Sequence, residues 1–394
     1  MEYFCNLNQH LNNNYEYHGL FFTYLPLTPD ILFIRSDISY KQYPDYETHY
    51  NHVTDLIIPH IDHLPKHIIM GIGYEETNNI VSLEMSLKAA DSVLSSLKQS
   101  NVISAYTVFA NDNNGMKIKS QMADYANVIF FPWFMLKYYY LYLDKQFTWN
   151  HESDKFLFLP GKINKAHRIY PMYKLWKDQM LDTVSYTFLS CPMWGISEDD
   201  WYNKLCEYLS DATQQNFDPS ELKQLLLELE KDQDGLVNLS RTESNFMMQT
   251  VSESLYNTGC VELVSETWID TYHLTEKTWR PIMAGQPFIH INPDQTRRLR
   301  EMGFKTFDTY TDIPDAPPAN PGNIKWIPLN CDVAIARASK LVQVCKDNVT
   351  TIQQDIDYNR KHMMRTINRL LLTLDKKHPG IADRLDYLTT RDGA

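Results

Sequence analysis

Apolar residues in the first 150 positions fall into short runs that alternate with stretches of helical spacing. The run Lys66–Ile72 (KHIIMGI) predicts a buried strand, and Ser82–Lys98 repeats apolar residues at the spacing of a helix. Asn101–Phe109 and Ala126–Phe131 are again strand-like, and Trp133–Leu143 repeats the helical unit. This alternation is typical of a parallel sheet with helices on its faces.

A polar stretch, Asp144–Lys155, interrupts the pattern and indicates a linker, after which the alternation resumes. The predicted units are strand Phe156–Leu159, helix Lys165–Leu181, strand Ser185–Leu189, a helix-rich insertion over Glu198–Lys231, strand Cys260–Ser265, helix Glu276–Gly285, strand Pro287–Ile291, helix Gln295–Met302 and strand Ile324–Ile327. The segment from Asp332 to about Leu374 is long and helical, and we expect it to return to the first lobe.

Two successive arrays of this kind predict an α/β protein with two Rossmann-like lobes that face each other across a cleft. We expect a first lobe over residues 1–150 and a second over 151–331, which carries the insertion 198–231. Residues 332–394 are then a C-terminal helical segment that braces the first lobe. A length of 394 residues exceeds what one hydrophobic core usually serves, which also favours two lobes.

The charge balance disfavours binding of nucleic acid over the whole surface, because 37 Lys and Arg face 49 Asp and Glu for a net charge of -12. Two local basic clusters remain, each of which fits either a basic groove or a solvated helix face. They are Lys162, Lys165 and Arg168, and then Arg297, Arg298, Arg300 and Lys305.

Glycine is scarce, with 13 in the chain, which leaves little room for glycine-rich phosphate loops. Any nucleotide is therefore expected to be held by side chains and helix termini. The six cysteines form no C-x-x-C pair, the amino terminus lacks a signal pattern, and no apolar run approaches the roughly 20 residues of a membrane helix. These features predict a soluble, cytoplasmic protein, in the host cytoplasm if the source is viral.

The most informative chemistry lies where a predicted helix begins at Thr275, a residue type that caps helix N-termini. The positive end of a helix suits a diphosphate, and Lys277 in the first turn adds a positive charge. Glu276 beside it suits the two hydroxyls of a ribose as a hydrogen-bond acceptor. The alternative is an N-capped surface helix with an internal charge pair.

A family resemblance begins in this stretch. Thr275–Trp279 (TEKTW), followed by Gly285 and then Pro287–Ile289, resembles the donor-binding segment of the α1,3-fucosyltransferase-like glycosyltransferases. The flanking Val264–Thr267, together with residues 299–307 and 158–168, resembles phage and bacterial proteins regarded as glycosyltransferase-like. The resemblance covers roughly residues 155 to 310.

The resemblance implies a GT-B fold whose second lobe holds a nucleotide-sugar donor and whose first lobe holds the acceptor. It assigns the donor ribose to Glu276 and the diphosphate to Lys277 and Arg168, with Lys162 nearby. It implies no metal and no cofactor besides the donor, since cationic side chains and a helix dipole neutralise the leaving diphosphate.

Four further positions of the donor segment are candidates for contact with the nucleotide sugar. Thr275 and Glu266 lie within the resembling residues. The fucosyltransferases often carry an aromatic residue three positions before the glutamate, where this chain has His273 with Tyr272 beside it. Either of these two residues is a candidate for contact with the base or the phosphate.

An inverting transfer needs a carboxylate in the first lobe to take the proton of the acceptor hydroxyl. Glu75 and Glu76 directly follow a predicted strand, at the end where such a base belongs, and Asp112 follows the next strand. Each also fits a turn or helix-capping carboxylate, and a retaining mechanism would need none of them.

A second cluster of chemistry-bearing residues is rich in histidine. His60, His63 and His67 lie near Asp62 at spacings that resemble zinc ligands on one helical face. Pro65 interrupts the helix that this geometry requires, so we expect no metal site.

The sequence therefore predicts a glycosyltransferase that moves a sugar from a nucleotide-sugar donor to a hydroxyl acceptor, metal-independent and inverting. The acceptor class is open among a saccharide, a small molecule and modified DNA. One alternative is a phage-type DNA glycosyltransferase acting on a hydroxymethylated base, which would flip its target base out of the duplex. Another is a catalytically inactive, GT-B-shaped binding module. The pattern leaves the oligomeric state open.

Overall fold

The chain forms a mixed α/β structure. The computed structural model describes residues 24–28, 31–36, 45–72, 80–111, 127–131, 135, 147–162, 165–189, 198–213, 218–231, 253–266, 274–318 and 324–380. It divides into two compact units, one made of Met1–Leu141 with Arg365–Ala394 and the other of Tyr142–Met364. Residues 332–364 of the expected C-terminal segment thus group with the second unit.

The first unit is built on a sheet of five strands in sequential order. They are β1 (Tyr24–Thr28), β2 (Ile31–Ser36), β3 (His67–Ile72), β4 (Ala105–Asn111) and β5 (Val128–Phe131). The first pair is antiparallel, and the strands from β2 to β5 are parallel. The strands predicted over Lys66–Ile72, Asn101–Phe109 and Ala126–Phe131 are confirmed as β3, β4 and β5. The helix predicted over Trp133–Leu143 lies, except for residue 135, outside the described residues.

Two helices cover one face of this sheet, α1 (Tyr46–Ile57) and α2 (Ile80–Gln99). Crossovers between parallel strands are right-handed, so strands that follow in sequential order carry their helices on the same side. Ile68, Met70 and Val108 on the sheet share one buried cluster with Val53 and Leu87 on the helices. The sequence pattern predicted α2 and missed α1.

The second unit contains a parallel sheet with strands in the order β7-β6-β8-β9. These are β6 (Phe156–Lys162), β7 (Val184–Leu189), β8 (Val261–Val264) and β9 (Phe288–His290). The pairing of β6 with β7 shifts register between Phe158 and Gly161, where Pro160 has no N–H to offer a neighbouring strand. All four strands were predicted.

Helices connect and flank these strands. They are α3 (Ala166–Lys177), α4 (Glu198–Thr213), α5 (Pro219–Lys231), α6 (Glu253–Tyr256), α7 (Glu276–Ala284), α8 (Pro293–Glu301), α9 (Ile327–Asp347) and α10 (Val349–Lys377). The predicted helical insertion is confirmed as α4 and α5. No helix in the described parts of the chain is long and apolar enough to cross a bilayer.

The strand predicted over Ile324–Ile327 is wrong. Ile324–Trp326 forms a turn of 3-10 helix that runs directly into α9. An apolar run of four residues fits a strand or the start of a helix equally well, and Pro328 in the first turn is at a position where proline favours the helix.

The predicted linker is also part of the second unit rather than a free connection. Trp149 is buried, and its indole N–H donates to the carbonyl oxygen of Cys260 at 2.8 Å. Asn150 and Ser153 donate to the carbonyls of Asn257 and Thr258 at 2.7 and 3.0 Å. These bonds fix the segment beside the start of β8.

The chain that follows α10 packs on the first sheet. His378 is fully buried, with its Nε2 2.8 Å from Thr107 Oγ1 and its Nδ1 3.2 Å from His67 Nδ1. Thr107 and His67 alternate along their strands with the residues that face α1 and α2, so they lie on the opposite face. The first sheet is therefore covered on both sides around His378.

We expect the stability of the protein to depend on pH through His378. Burial lowers its pKa to about 4, and His67 and Lys377 add to the effect. Between pH 6.5 and 4 the unfolded chain takes up a proton that the folded protein excludes, so stability is lost as the pH falls through that window. From pH 7 to 5 the loss is about 2 kcal/mol, measured by urea unfolding.

The control for this prediction is a pair of variants. His378→Asn removes the titrating group and is expected to flatten the pH dependence by that amount. His151→Asn makes the same substitution at a more exposed histidine of the second unit and is the matched control. An unchanged slope in His378→Asn would contradict the assignment.

Candidate anion-binding site at the switch point of the second sheet

The order of the second sheet reverses between β6 and β8. The chain leaving β6 turns to β7 on one side, and the chain leaving β8 turns to β9 on the other. In open parallel sheets, ligands bind in the crevice that such a reversal opens beyond the carboxyl ends of the strands. Among the described strands of the first sheet the order is sequential and contains no such reversal.

The start of α7 lies at this point and follows the predicted pattern. Thr275 is the N-cap, with an extended backbone and a side chain that accepts from the N–H of Lys277. Gly285 ends the helix in the left-handed conformation, at φ 71°, which favours glycine. The helix predicted over Glu276–Gly285 is confirmed, and its first turn opens at the crevice.

Glu266, which follows β8, holds this helix start in place. Its carboxylate is fully buried and accepts from the backbone N–H of Thr275 at 3.0 Å and from the hydroxyls of Thr275 and Thr278. Thr278 Oγ1 also lies 2.8 Å from His290 Nε2 on β9. Hydrogen bonds to a buried carboxylate are among the stronger ones, so the first turn of α7 is fixed to the ends of two strands.

The start of α3 is fixed to the same point from the β6 side. The ring Nε2 of His167 donates to the carbonyl of Glu266 at 2.9 Å, and Ser265 Oγ donates to the carbonyl of His167 at 3.2 Å. These two bonds join the residues after β6 to those after β8. The N-terminal ends of α3 and α7, each with its partial positive charge, therefore meet at the crevice.

Three cations surround this junction. Arg168 and Lys277 are buried, with 4% and 3% of their surface exposed. Burial holds the pKa of His167 well below its usual value, and Arg168, Lys165 and Lys277 all add to that effect. The imidazole is neutral at pH 7, and the charge of the junction comes from the lysines and the arginine.

Lys277 is paired with its neighbour in this structure. Its Nζ forms an ion pair with Glu276 Oε1, and the side chains are 4% and 17% exposed respectively. Burial lowers the pKa of Lys277, an effect that Glu276 opposes and Arg168 reinforces. Burial on its own would raise the pKa of Glu276, but Lys277 and then Arg280 outweigh it and lower that pKa to about 2. Both members of the pair are charged.

The structure brings together five of the predicted donor-site residues: Glu266, Thr275, Glu276, Lys277 and Arg168. Lys162 is the last residue of β6, and its side chain lies outside the described residues. Tyr272, His273 and the three candidate bases Glu75, Glu76 and Asp112 also lie outside them. The roles of all these residues stay predictions.

Three buried residues at the site were missed by the sequence reasoning: His167, Thr278 and His290. Each is a polar residue within a helix or strand that was predicted from the apolar residues around it. Burial lowers the pKa of His290 to about 3, so it is a neutral hydrogen-bonding partner. The feature of the sequence that marks these residues is a polar side chain at the point where a helix or strand meets the edge of the sheet.

The second basic cluster forms ion pairs with nearby carboxylates. Arg297 pairs with Asp294 at 2.7 Å, Arg298 lies 3.6 Å from Glu301, and Arg300 pairs with Asp308. Lys305 Nζ lies 5.6 Å from the ring centre of Tyr358. The three arginine charges are thereby balanced locally.

No protein-family model, curated protein or solved structure matches this chain. Within the described residues, no group of three or more His, Cys, Asp or Glu is placed to hold a metal ion. The switch point combines buried cationic side chains with the carboxylates of Glu266 and Glu276, and two helix N-termini meet there. This combination suits a multiply charged anion that also carries hydroxyl groups.

Proposed function

We propose that this chain is a glycosyltransferase of the GT-B class that moves a sugar from a nucleotide-sugar donor to a hydroxyl acceptor by an inverting, metal-independent mechanism. The observation that carries the proposal is the meeting of two helix starts with buried Arg168 and Lys277 at the switch point of the second sheet. This arrangement suits the diphosphate of a nucleotide sugar.

Such a site must stabilise the leaving group of the reaction. As the bond between the sugar C1 and the phosphate oxygen breaks, negative charge builds up on the nucleoside diphosphate. Lys277 and Arg168 are buried, and charges act more strongly there than in water. Glu266 and His167 hold the two helix starts that carry these side chains, so the positive charges are positioned to neutralise the departing diphosphate.

The charges of the second unit support a saccharide or small-molecule acceptor over duplex DNA. DNA binding requires cations facing the phosphate backbone. The arginines of α8 pair with Asp294, Glu301 and Asp308 instead. The net charge of -12 points in the same direction.

A binding panel tests the donor site. Isothermal calorimetry is carried out with UDP, GDP, ADP and CDP, and with UDP- and GDP-sugars. We expect the nucleotides of one base to bind with a dissociation constant in the micromolar range. Nucleoside monophosphates are expected to bind at least tenfold more weakly, because they lack the second phosphate. Absence of binding to every member of the panel would overturn the proposal.

Replacing Glu75 by glutamine is expected to leave donor binding unchanged and to lower the rate of transfer by about 100-fold or more, since a general base contributes 10²–10⁴-fold. The measurement pairs calorimetry on the donor with product formation under saturating donor. Glu76→Gln and Asp112→Asn are the matched comparisons. Full activity in Glu75→Gln with loss in one of the others would move the base to that residue.

A further inference from the structure

We propose that Glu276 makes the site selective, because it holds Lys277 in an ion pair that only a ligand with both a diphosphate and a pair of hydroxyl groups can replace. Inorganic anions and nucleotides without those hydroxyls would then bind weakly. The inference rests on the proposed function and adds to it a mechanism by which the site excludes phosphate and pyrophosphate.

The geometry of the pair carries the inference. Lys277 is the more deeply buried member, and Glu276 is the one that solvent reaches. An anion that approaches Lys277 therefore meets the carboxylate beside it. With a pKa of about 2, Glu276 stays negatively charged at any pH near neutrality.

An anion on its own cannot replace Glu276 as the partner of Lys277 without a cost in free energy. To contact Lys277 it must take the ammonium from Glu276 and leave a carboxylate without its ion-pair partner in a largely buried place, which is unfavourable. A ribose removes that penalty, because its two hydroxyls donate hydrogen bonds to the freed carboxylate. Phosphate and ribose binding are thereby coupled, so each makes the other more favourable.

The neighbouring polar groups do not take part in this exchange of partners between Glu276 and Lys277. Glu266 is occupied by Thr275 and Thr278, and His167 is neutral and bonded to the chain. Arg168 contributes positive charge to the junction but is not the partner of Glu276 in the described ion pair. Lys277 is therefore the group that changes partner when a ligand enters.

The first test uses the unaltered protein. Calorimetry at pH 7 compares the nucleoside diphosphate that binds best with its 2′,3′-dideoxy analogue and with inorganic pyrophosphate. We expect the dideoxy compound and pyrophosphate to bind at least 30-fold more weakly than the ribonucleotide. Equal affinity for the ribonucleotide and its dideoxy analogue would overturn the inference.

The second test uses Glu276→Gln, which keeps the shape of the side chain and removes its charge. Pyrophosphate is expected to bind about tenfold more tightly to this variant, and the preference for ribose over dideoxyribose is expected to fall to near unity. Because the gain depends on Lys277, Glu276→Gln/Lys277→Met is expected to bind pyrophosphate no better than Lys277→Met. Asp294→Asn, another carboxylate in the first turn of a helix, is the matched control and leaves all affinities unchanged.

The outcomes separate the two proposals. If the wild type binds a nucleoside diphosphate but Glu276→Gln binds pyrophosphate equally or less well, while circular dichroism shows an intact fold, the exchange is wrong and the donor site stands. If the wild type binds no nucleoside diphosphate, the donor site itself is wrong and the inference falls with it.

Discussion

Lys277→Ala is expected to weaken binding of a nucleoside diphosphate by about 100-fold, or roughly 3 kcal/mol. Two effects contribute to this loss. The diphosphate loses a buried, charge-assisted partner, worth roughly 1.5–3 kcal/mol. Glu276 also loses the ion-pair partner that balances its charge, so the carboxylate opposes the incoming anion more strongly. Calorimetry gives the affinities directly.

Lys174→Ala is the matched control for this variant. Lys174 also makes an ion pair, with Asp178 at 2.7 Å, but it is an exposed pair within α3. Its removal is expected to change nucleotide affinity by less than twofold. Wild-type affinity in Lys277→Ala would overturn the assignment of the diphosphate to this residue.

Arg280→Ala is expected to lower the free energy of unfolding by about 3–5 kcal/mol, the range for removing one partner of a buried ion pair. Arg280 NH2 lies 3.1 Å from Glu262 Oε1, and Tyr256 donates to the same carboxylate at 2.7 Å. Glu262 is 1% exposed, so without Arg280 its charge is buried with only a neutral partner. Urea unfolding at pH 8 measures the effect.

The pH dependence of this loss identifies its cause. Burial raises the pKa of Glu262, with Arg280 as the main opposing influence. Removing Arg280 raises that pKa further, so the carboxyl group is neutral up to a higher pH and the penalty is smaller at pH 5 than at pH 8. Glu262→Gln/Arg280→Ala is expected to recover part of the stability. Arg297→Ala, which breaks an exposed pair with Asp294, is the control and is expected to lose at most about 1 kcal/mol.

Apolar periodicity predicted the elements whose buried face is made of apolar residues. Strand β6, which buries Phe156–Leu159, and helix α2, which buries Leu87, Leu94 and Leu97, follow this rule. Helix α1 does not, because its buried positions are His49, Val53 and Ile57, and a histidine in the stripe conceals the repeat. His49 is fully buried and lies 2.9 Å from Ser86 on α2, a contact that local sequence does not reveal.

The charged residues and the helix start of the candidate site could be predicted from the sequence, because Thr275, Glu276 and Lys277 are adjacent in the chain. The supporting network was not, because Glu266 reaches partners 9 and 12 residues away and His167 lies 99 residues from the carbonyl it contacts. Such pairings depend on which strands are neighbours. Strand order is a property of the whole sheet, and periodicity along one segment carries no information about it.

The neutral histidines at the switch point have a consequence for how the site responds to acidity. His167 and His290 are residue types that ordinarily gain a proton near pH 6.5, yet burial keeps both uncharged well below that value. Glu276 stays ionised over the same range. As the pH passes through 6, these three groups keep the same charge, so the electrostatic background that they provide at the switch point is constant. The terminal phosphate of a free nucleoside diphosphate ionises near pH 6 and therefore sets the pH dependence of its affinity. A nucleotide sugar has no such phosphate, so its affinity is expected to change less with pH.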